Sequence, residues 1–228
     1  MAQTKSALII GASRGLGLGL VRQLHADGWQ VTATVRSQTG VEALQALAGV
    51  KIEQLDMNDG AQVSALQQRL AGQNFDLLFI NAGVSGPSHQ SVEEATVEEI
   101  GQLFMTNAIA PIRLAQRLVG QINKPDGVLV FMSSVLGSVA MPEGNNMALY
   151  KASKAALNSM TNSFVCELKG DGLTVLSMHP GWVKTDMGGE GATLDIETSC
   201  KGMVAQINKQ AGAGGHRFID YQGESIAW

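Results

Sequence analysis

Hydrophobic and polar positions along the chain follow two alternating periods. Short apolar runs, the first of which reads SALIIG, are typical of strands that are covered on both faces. Between them, apolar residues recur every three or four positions, as Leu20, Val21 and Leu24 do, and this spacing predicts helices. The predicted strands cover residues 6–11, 29–36, 50–56, 75–83, 127–134, 173–181 and 216–220. The predicted helices cover residues 15–28, 40–49, 60–72, 96–122, 148–168 and 194–210.

This alternation predicts the fold class. Strands that alternate with helices form βαβ units, and right-handed crossovers place the helices on both faces of a mostly parallel sheet. The chain shows no repeat, linker or low-complexity tract, and 228 residues suffice for one large hydrophobic core. We therefore expect an α/β protein, a single doubly wound Rossmann domain over residues 1–228 with a sheet of about seven strands.

Composition and charge narrow the function classes. The net charge of -4 gives no electrostatic reason to expect nucleic acid or an anionic membrane as a partner. No apolar stretch approaches the roughly 20 residues that span a bilayer, and the N-terminus lacks the features of a signal peptide. The spacing of Cys166 and Cys200 fits neither a metal site nor a redox motif, and no histidines pair as ligands. We expect a cytoplasmic protein without a metal, whose free thiols are buried or half-buried.

The segment IIGASRGLG joins the first predicted strand to the first predicted helix. A helix N-terminus exposes unpaired N–H groups and the positive end of the helix dipole, and this combination binds phosphate. Gly11 permits a tight turn, Gly15 lets the backbone approach a pyrophosphate, and Gly17 lets the helix pack close to the strand. The pattern predicts a dinucleotide site, although the spacing differs from the commoner G-x-G-x-x-G.

The same residues allow a second interpretation. GASRG is also a G-x-S-x-G string on a strand–turn–helix, which would make Ser13 a hydrolase nucleophile with Asp186, His179 and His216 as candidate acids and bases. The strand starts at Ser6, so the chain shown offers no upstream loop from which that fold builds part of its oxyanion hole. We therefore favour the dinucleotide site.

The end of the second strand indicates which dinucleotide binds. An acidic residue there would bond the ribose 2′-OH of NAD, whereas a basic residue accommodates the 2′-phosphate of NADP. The sequence has Arg36 at this position and Arg14 in the glycine turn. Two planar guanidinium groups beside one anion favour NADP(H) as the cofactor.

The stretch ALYKASKAAL places Tyr150 and Lys154 four residues apart, on one face of a predicted helix. A nearby ammonium group favours the tyrosinate and lowers the pKa of the phenol, which suits general acid–base catalysis near neutral pH. Ser134, at the end of the preceding strand, offers a hydrogen bond to a carbonyl oxygen on which charge develops. The pair alone is a weak signal, but together with the serine it predicts hydride transfer between a bound nicotinamide and a carbonyl.

Seven motifs in this order resemble the short-chain dehydrogenase/reductase family over nearly the whole chain. They read GASRGLG, LDMND, NAG, TNAIAP, MSSVLGS, YKASK and HPGWVKTDM. The stretch PGWVKTDMGG, the final AW and the gap between Ser134 and Tyr150 resemble the short carbonyl-reductase branch that includes sniffer and the bacterial C-factor proteins. Ile10 and Ile80 depart from the family, which often has threonine and asparagine there.

The resemblance implies a role for each matching residue. Ser134 would polarise the substrate carbonyl, Tyr150 would be the general acid in reduction, Lys154 would hold the nicotinamide ribose, and Asn107 would anchor a water in a proton relay. The implied cofactor contacts are Gly11, Ser13, Arg14, Gly15, Leu16, Gly17, Arg36, Asp56, Met57, Asn81, Ala82, Gly83, Tyr150, Lys154, Pro180, Gly181, Trp182, Val183 and Thr185.

The predicted function is NADPH-dependent reduction of a small aldehyde, ketone or quinone to an alcohol. An NADP(H)-binding regulatory or signalling protein with little turnover is the alternative that the resemblance to C-factor proteins leaves open. Residues 187–199 are glycine-rich at their start and are expected to form a short substrate lid or a simple surface loop. By analogy with the family we expect a homo-oligomer, a dimer or tetramer, with helix 148–168 as a subunit contact.

Overall fold

Seven parallel strands form one sheet at the centre of the molecule. The computed structural model describes residues 4–141, 147–168 and 172–228; the other positions of the domain expected over residues 1–228 lie outside the described residues. The strand order is β3-β2-β1-β4-β5-β6-β7, and every pairing is parallel. The strands are β1 (Ser6–Ile10), β2 (Gln30–Val35), β3 (Lys51–Gln54), β4 (Leu77–Ile80), β5 (Val128–Met132), β6 (Thr174–His179) and β7 (Gly215–Asp220).

Helices cover both faces of the sheet. They are α1 (Gly15–Ala26), α2 (Val41–Gln45), α3 (Gly60–Arg69), α4 (Val97–Phe104), α5 (Ala110–Leu118), α6 (Ala148–Glu167) and α7 (Ile196–Gln210). One hydrophobic cluster holds α1 and α7 against the sheet, and a second cluster holds α3, α5 and α6 against the opposite face. The α/β doubly wound fold that the sequence predicts is thereby confirmed, including the number of strands.

The strand order reverses direction between β1 and β4, which determines where a ligand can bind. The chain winds outward from β1 through β2 and β3, then returns to pair β4 with the other side of β1. Helices that leave these two strands in opposite directions open a crevice at their carboxyl ends, and open α/β sheets bind ligands in that crevice. The loops after β1, β4, β5 and β6 all meet at this edge.

The long helix predicted over residues 96–122 is interrupted. A wider π-helical turn spans Met105–Ile109 between α4 and α5, and a 3₁₀ turn spans Val119–Gln121 at the end. Pro111 has no N–H to donate to the carbonyl of Asn107 four residues earlier, and its ring crowds that carbonyl. The turn therefore widens around Asn107, as π-bulges often do at functional sites.

Two other helices differ from their predicted bounds. Helix α2 is shorter than expected because the chain after Gln45 continues in tight turns, with Leu47 N–H bonded to the Leu44 carbonyl. Helix α7 begins at Ile196, because the Asp195 carboxylate accepts the Thr198 N–H as an N-terminal cap. Residues 196–199, predicted as part of a lid, consequently belong to this helix.

The two cysteines differ in their surroundings. Cys200 is buried and its thiol contacts the Leu16 carbonyl at 3.5 Å, whereas Cys166 is exposed. Both thiols are free, as expected, but the expectation that both are shielded from solvent is wrong for Cys166. Among the described residues, no helix combines the length and apolar character that crossing a bilayer requires.

Replacement of Phe131 by alanine tests the contribution of the sheet core. Phe131 is fully buried on β5 and meets the ring of Phe164 edge-on, with 6.5 Å between the ring centroids. We expect Phe131→Ala to lower the free energy of unfolding by about 3–5 kcal/mol, as truncations of buried aromatic residues do. The matched control is Val97→Ala, because Val97 is 82% exposed. Denaturant unfolding that gives equal losses for both variants would contradict this account of the core.

Candidate active site

The turn between β1 and α1 is built from glycines that touch other backbone segments. A Cβ added to Gly11, whose φ is +83°, would lie 2.7 Å from the Cβ of Ala82. A Cβ added to Gly17 would lie 2.0 Å from the Gly11 carbonyl oxygen and 2.7 Å from the side-chain nitrogen of Asn81. Arg14 precedes α1 and gives the helix no side-chain cap. The first amides of α1 therefore face the crevice without a side-chain acceptor, as a phosphate-binding turn requires.

The two arginines expected at the 2′-phosphate differ in their ion pairing. The Arg14 guanidinium makes a close ion pair with the Asp186 carboxylate, and both side chains are largely exposed. The Arg36 guanidinium has no hydrogen bond or ion pair to any residue that the structure describes. The loops that carry the arginines touch, since a Cβ on Gly40 would lie 2.1 Å from the Ser13 carbonyl oxygen. Arg36 is thus open to an anion, while Arg14 has an internal carboxylate partner.

The residues after β3 and β4 line the same edge of the sheet. Asp56 accepts the Asn58 N–H at 2.9 Å, which bends the chain after β3, and Met57 is buried beside it. The Asn81 side chain donates to the Gly11 carbonyl at 2.7 Å, so this amide braces the glycine turn. A Cβ on Gly83 would lie 3.3 Å from Asn107 Oδ1 and 3.5 Å from Lys154 Nζ.

Asn107 is fully buried in the π-helical turn, and both polar atoms of its amide are hydrogen-bonded. Its Oδ1 accepts the Val84 N–H and its Nδ2 donates to the Val84 carbonyl, both at 2.8 Å. The same Nδ2 donates to the Ser153 hydroxyl at 3.0 Å. That hydroxyl donates in turn to the Tyr150 carbonyl at 2.7 Å. Asn107 therefore connects the loop after β4 to the helix that carries Tyr150 and Lys154.

Ser134, Tyr150 and Lys154 come together at the carboxyl end of β5. The Ser134 hydroxyl lies near enough to the Tyr150 phenol to lower its pKa. The ammonium nitrogen of Lys154 lies 5.7 Å from the centre of the Tyr150 ring, so both side chains point to the same side of α6. That nitrogen donates to the Met132 carbonyl at 2.9 Å, which fixes the lysine to the last residue of β5.

Burial decides the protonation of this pair. Burial raises the pKa of Tyr150 to about 12, and the nearby Ser134 hydroxyl only partly opposes this rise. Burial also lowers the pKa of Lys154 to about 8. The expectation that the ammonium acidifies the phenol is therefore wrong for this structure, because burial of the phenol raises its pKa. At neutral pH the phenol holds its proton, the form in which it can act as an acid.

The segment after β6 closes the other side of the crevice. Val183 pairs with Leu194, which folds the intervening residues into a loop, and the Thr185 hydroxyl accepts the Gly188 N–H at 3.0 Å. The Trp182 indole donates to the Gly188 carbonyl at 2.9 Å and remains 57% exposed. Pro180 is held from behind, because the Ser199 hydroxyl donates to its carbonyl at 2.6 Å.

The residues of the hydrolase interpretation do not assemble into a triad. His216 lies at the start of β7, the opposite end of the strands from Ser13, and its ring nitrogens are engaged by Ser177 and Asn162. Burial lowers the pKa of His179 to about 4, and its Nδ1 has no hydrogen-bond partner. Asp186 pairs with Arg14 instead.

Three polar residues of this site, Ser153, Asn158 and Gln90, were not predicted from the sequence. Ser153 and Asn158 lie on the buried face of α6, and Asn158 accepts the Ser133 hydroxyl at 2.7 Å. Their helical spacing relative to Tyr150 and Lys154 is a signal that could have found them. Gln90, which accepts the Tyr150 N–H at 2.9 Å, sits in a loop that carries no comparable pattern.

The sequence and the fold were compared with known proteins. The family profile described as short chain dehydrogenase matches residues 5–193. The chain belongs to the short-chain dehydrogenase family. A carbonyl reductase from Pseudomonas aeruginosa PAO1, solved in complex with NADP, is 40% identical, with a TM-score of 0.92 over 99% of this chain and 100% of that one.

Two further similarities bear on the branch of the short-chain dehydrogenase family. The carbonyl reductase Sniffer of D. melanogaster is 31% identical, with a TM-score of 0.86 over 99% of this chain and 100% of its own. C-signal of Myxococcus xanthus is 34% identical over 156 residues, which cover 67% of this chain and 92% of that protein. The resemblance inferred from the seven motifs is thus confirmed.

The buried lysine predicts a pH dependence of stability. The pKa of Lys154 is 10.5 in its unperturbed state and about 8 in the folded protein, so the unfolded chain binds more protons between these values. The free energy of unfolding of the wild type should therefore rise from pH 8 to pH 10.5 relative to Lys154→Met, by up to about 3 kcal/mol.

Denaturant unfolding of both proteins across this pH range measures the difference. Tyr150 is present in both, so its own titration cancels in the comparison. A difference that stays flat or declines over the interval would show that the lysine is not buried as an unpaired ammonium.

Proposed function

We propose that this protein reduces a carbonyl group to an alcohol by hydride transfer from NADPH, with Tyr150 as the general acid. The observation that supports this most strongly is the grouping of Ser134, Tyr150 and Lys154 at the carboxyl end of β5. A protonated phenol, a serine hydroxyl in contact with it and a buried ammonium lie beside the crevice where such sheets bind ligands. Nothing in a structural role alone requires all three polar groups to converge there.

The residues present fit NADP(H). The backbone of the glycine turn leaves no room for a side chain at Gly17, and α1 has no side-chain cap that would compete with a phosphate. Arg36 offers an unpaired guanidinium at the end of β2, where a basic residue accommodates a 2′-phosphate. NADP in the similar Pseudomonas aeruginosa carbonyl reductase supports the same choice. Arg14 would be the second cation, once it parts from Asp186.

Each of the three polar side chains would have its own role in the reduction. NADPH, when bound, supplies the hydride that the carbonyl carbon accepts. The Ser134 hydroxyl donates a hydrogen bond to the carbonyl oxygen, which stabilises the negative charge that develops on it. The Tyr150 phenol gives its proton to that oxygen and completes the alcohol, and the resulting phenolate is later reprotonated from solvent. The Lys154 ammonium would hold the nicotinamide ribose and attract the transient phenolate.

Apolar side chains beside the crevice suit an uncharged substrate. Val139 and Met141 follow Ser134 along the chain, and Trp182 and Met187 lie in the loop after β6; all four expose apolar surface to solvent. Single exposed apolar side chains are common at protein surfaces, but these four all lie in the two loops that follow β5 and β6. They support a small aldehyde, ketone or quinone with an apolar body, held by contact while its oxygen is placed by hydrogen bonds.

A second candidate function is favoured by the similarity to C-signal. A protein that binds NADP(H) mainly for regulation or signalling, with little turnover, would share the fold and the cofactor site. It would have no use for a protonated phenol in contact with a serine hydroxyl beside that site. NADPH binding without carbonyl turnover would favour this candidate over the enzyme.

Replacement of Tyr150 by phenylalanine tests the proposed acid. Tyr150→Phe should lower kcat for carbonyl reduction by about 10²–10⁴-fold, the usual contribution of a positioned proton donor. The NADPH dissociation constant should stay the same, because the glycine turn and the arginines are untouched. Loss of NADPH absorbance with a panel of aldehydes, ketones and quinones measures turnover, and protein fluorescence measures binding. Retention of wild-type kcat in the variant would refute this role of the phenol.

Replacement of Arg14 and Asp186 tests whether the Asp186 carboxylate and the 2′-phosphate compete for the Arg14 guanidinium. Arg14→Ser should weaken NADPH binding about 10–100-fold through loss of a charge-assisted hydrogen bond. Asp186→Asn should tighten it by no more than about fivefold, because an exposed ion pair is worth at most about 1 kcal/mol. NADH, which lacks that phosphate, should be affected by neither change.

The double variant distinguishes competition from a general effect of charge. In the Arg14→Ser background, Asp186→Asn should leave the NADPH dissociation constant unchanged. If Asp186→Asn tightens NADH as much as NADPH, the carboxylate acts on the whole dinucleotide and the competition is disproved.

Assembly and location stay predictions. We propose that the chain forms a homo-oligomer through α6, whose outward side carries Ala152, Ser159 and Ser163, small enough for a second helix to approach closely. Sedimentation velocity measures the assembly state. A cytoplasmic location and the lid role of the loop after Thr185 are part of the same proposal.

A further inference from the structure

Gln90 has an unusual conformation for its residue type. Its φ is +51°, and it is the only residue other than glycine with a positive φ in the part of the chain that the structure describes. A side chain in this region costs free energy and persists only where the surrounding structure holds it. Gln90 is also 8% exposed, although glutamine is mostly found at the surface. Something in its surroundings therefore fixes both the backbone and the side chain.

The side-chain amide of Gln90 is fully used. Its Nε2 donates to the carbonyls of Ser85 and Pro87, at 2.7 Å and 2.8 Å, and its Oε1 accepts the backbone N–H of Tyr150 at 2.9 Å. The two carbonyls require a donor and the N–H requires an acceptor, so the partners determine the orientation of the amide. A glutamate in the same place would set a carboxylate against two carbonyl oxygens.

The bond to Tyr150 supplies what the start of α6 lacks. The first four N–H groups of a helix have no partner within the helix, and a side chain at the N-cap usually satisfies one of them. Met147, the residue before α6, makes no such bond. Gln90 reaches from a different loop and takes the N–H of Tyr150, the third residue of the helix. It caps α6 at the residue that carries the reacting phenol.

Tyr150 is held on both sides of its backbone by one connected network. Gln90 binds its N–H, and the Ser153 hydroxyl, which Asn107 also contacts, donates to its carbonyl. Asn107 in turn binds the N–H and the carbonyl of Val84, at the start of the loop that ends in Gln90. Both connections to Tyr150 therefore start from the loop after β4. Movement of Gln90 or of Asn107 would displace the phenol relative to Ser134.

We infer that Gln90 is a positioning residue, which holds the backbone of Tyr150 so that the phenol meets the substrate oxygen together with Ser134. This role rests on the proposed function. A displacement of about 1 Å at a reacting group can cost about 10²-fold in rate, so the loss of one remote cap is large enough to measure. The cofactor contacts of the glycine turn and of Arg36 lie on other loops and are not expected to respond.

Two variants of Gln90 separate positioning from folding. Gln90→Leu keeps the size of the side chain and removes its three hydrogen bonds. Gln90→Gly removes the same bonds and relieves the positive φ, so the loop keeps its backbone conformation at little cost. The matched control is Gln121→Leu, which removes a side-chain bond of 2.6 Å to the Leu70 carbonyl near the opposite end of the strands.

The first measurement is kinetic. Both Gln90 variants should lower kcat about 10–100-fold, while the NADPH dissociation constant and the carbonyl KM change by less than about twofold. Gln121→Leu should leave all three constants unchanged in the folded protein. If both Gln90 variants keep the wild-type kcat, or lose activity only in proportion to the unfolded fraction, Gln90 has no positioning role.

The second measurement follows Tyr150 without any substrate. The chain has two tyrosines, so tyrosinate formation can be resolved, and Tyr150→Phe assigns the signal. In both Gln90 variants the phenol should ionise at lower pH, because a loosened ring gains water, and the Tyr150 amide should exchange hydrogen faster. If the wild type reduces no carbonyl, the proposed function fails, and these two readouts still decide about Gln90. An unchanged ionisation and exchange rate would overturn the inference even where the wild type is an active reductase.

Discussion

A buried ammonium group is the constraint on which the site depends. Lys154 lies inside the protein on α6, with one backbone carbonyl of β5 as its described hydrogen-bond partner. Burial of this charge is unfavourable, as the lowered pKa of about 8 shows. An apolar residue at this core-facing position would avoid that cost, and the proposed contact of the lysine with the nicotinamide ribose gives a reason for the charge. Its Nζ lies 3.5 Å from the position that a Cβ on Gly83 would take, so the ammonium group lies next to the loop after β4.

The polar residues around Lys154 hold α6 in place against the loops at the strand ends. The strand ends bring loops together, but loops alone do not hold a phenol to within a fraction of an ångström. The π-helical turn aims the Asn107 amide between the loop after β4 and α6, and Ser153 carries the connection to the Tyr150 carbonyl. Ser133 and Asn158 brace the next turn of α6 in the same way. The proposed catalytic side chains are therefore attached to a hydrogen-bonded framework, whereas the apolar residues proposed to contact the substrate are exposed.

The fold and much of the site could be predicted from the sequence because their causes are local. Apolar runs and glycine turns mark the strand ends, and parallel strands necessarily bring those ends to one edge. The spacing of Tyr150 and Lys154 places them on one side of a helix, as observed. The helix bounds near Asn107 and Asp195 were missed because a missing N–H at Pro111 and a capping carboxylate decide them, and both act against the hydrophobic period.

Other features depend on contacts that no short pattern records. The pKa of Tyr150 is raised because the phenol is buried, and the spacing of Tyr150 and Lys154 in the sequence gives no information about burial. The pairing of Arg14 with Asp186 joins residues from opposite sides of the crevice, and the bond from Gln90 to Tyr150 joins a loop to a helix. Each depends on the assembled fold, so each could be found only once the loops were placed.

A crystal structure of the protein with NADP and an unreactive carbonyl compound would test the proposed roles of Tyr150 and Ser134 most directly. We expect the carbonyl oxygen to lie within hydrogen-bonding distance of both the Tyr150 phenol and the Ser134 hydroxyl, with the carbonyl carbon facing the nicotinamide. A carbonyl group bound elsewhere, or a Tyr150 phenol turned away from it while Ser134 remains in place, would show that Tyr150 is not the general acid.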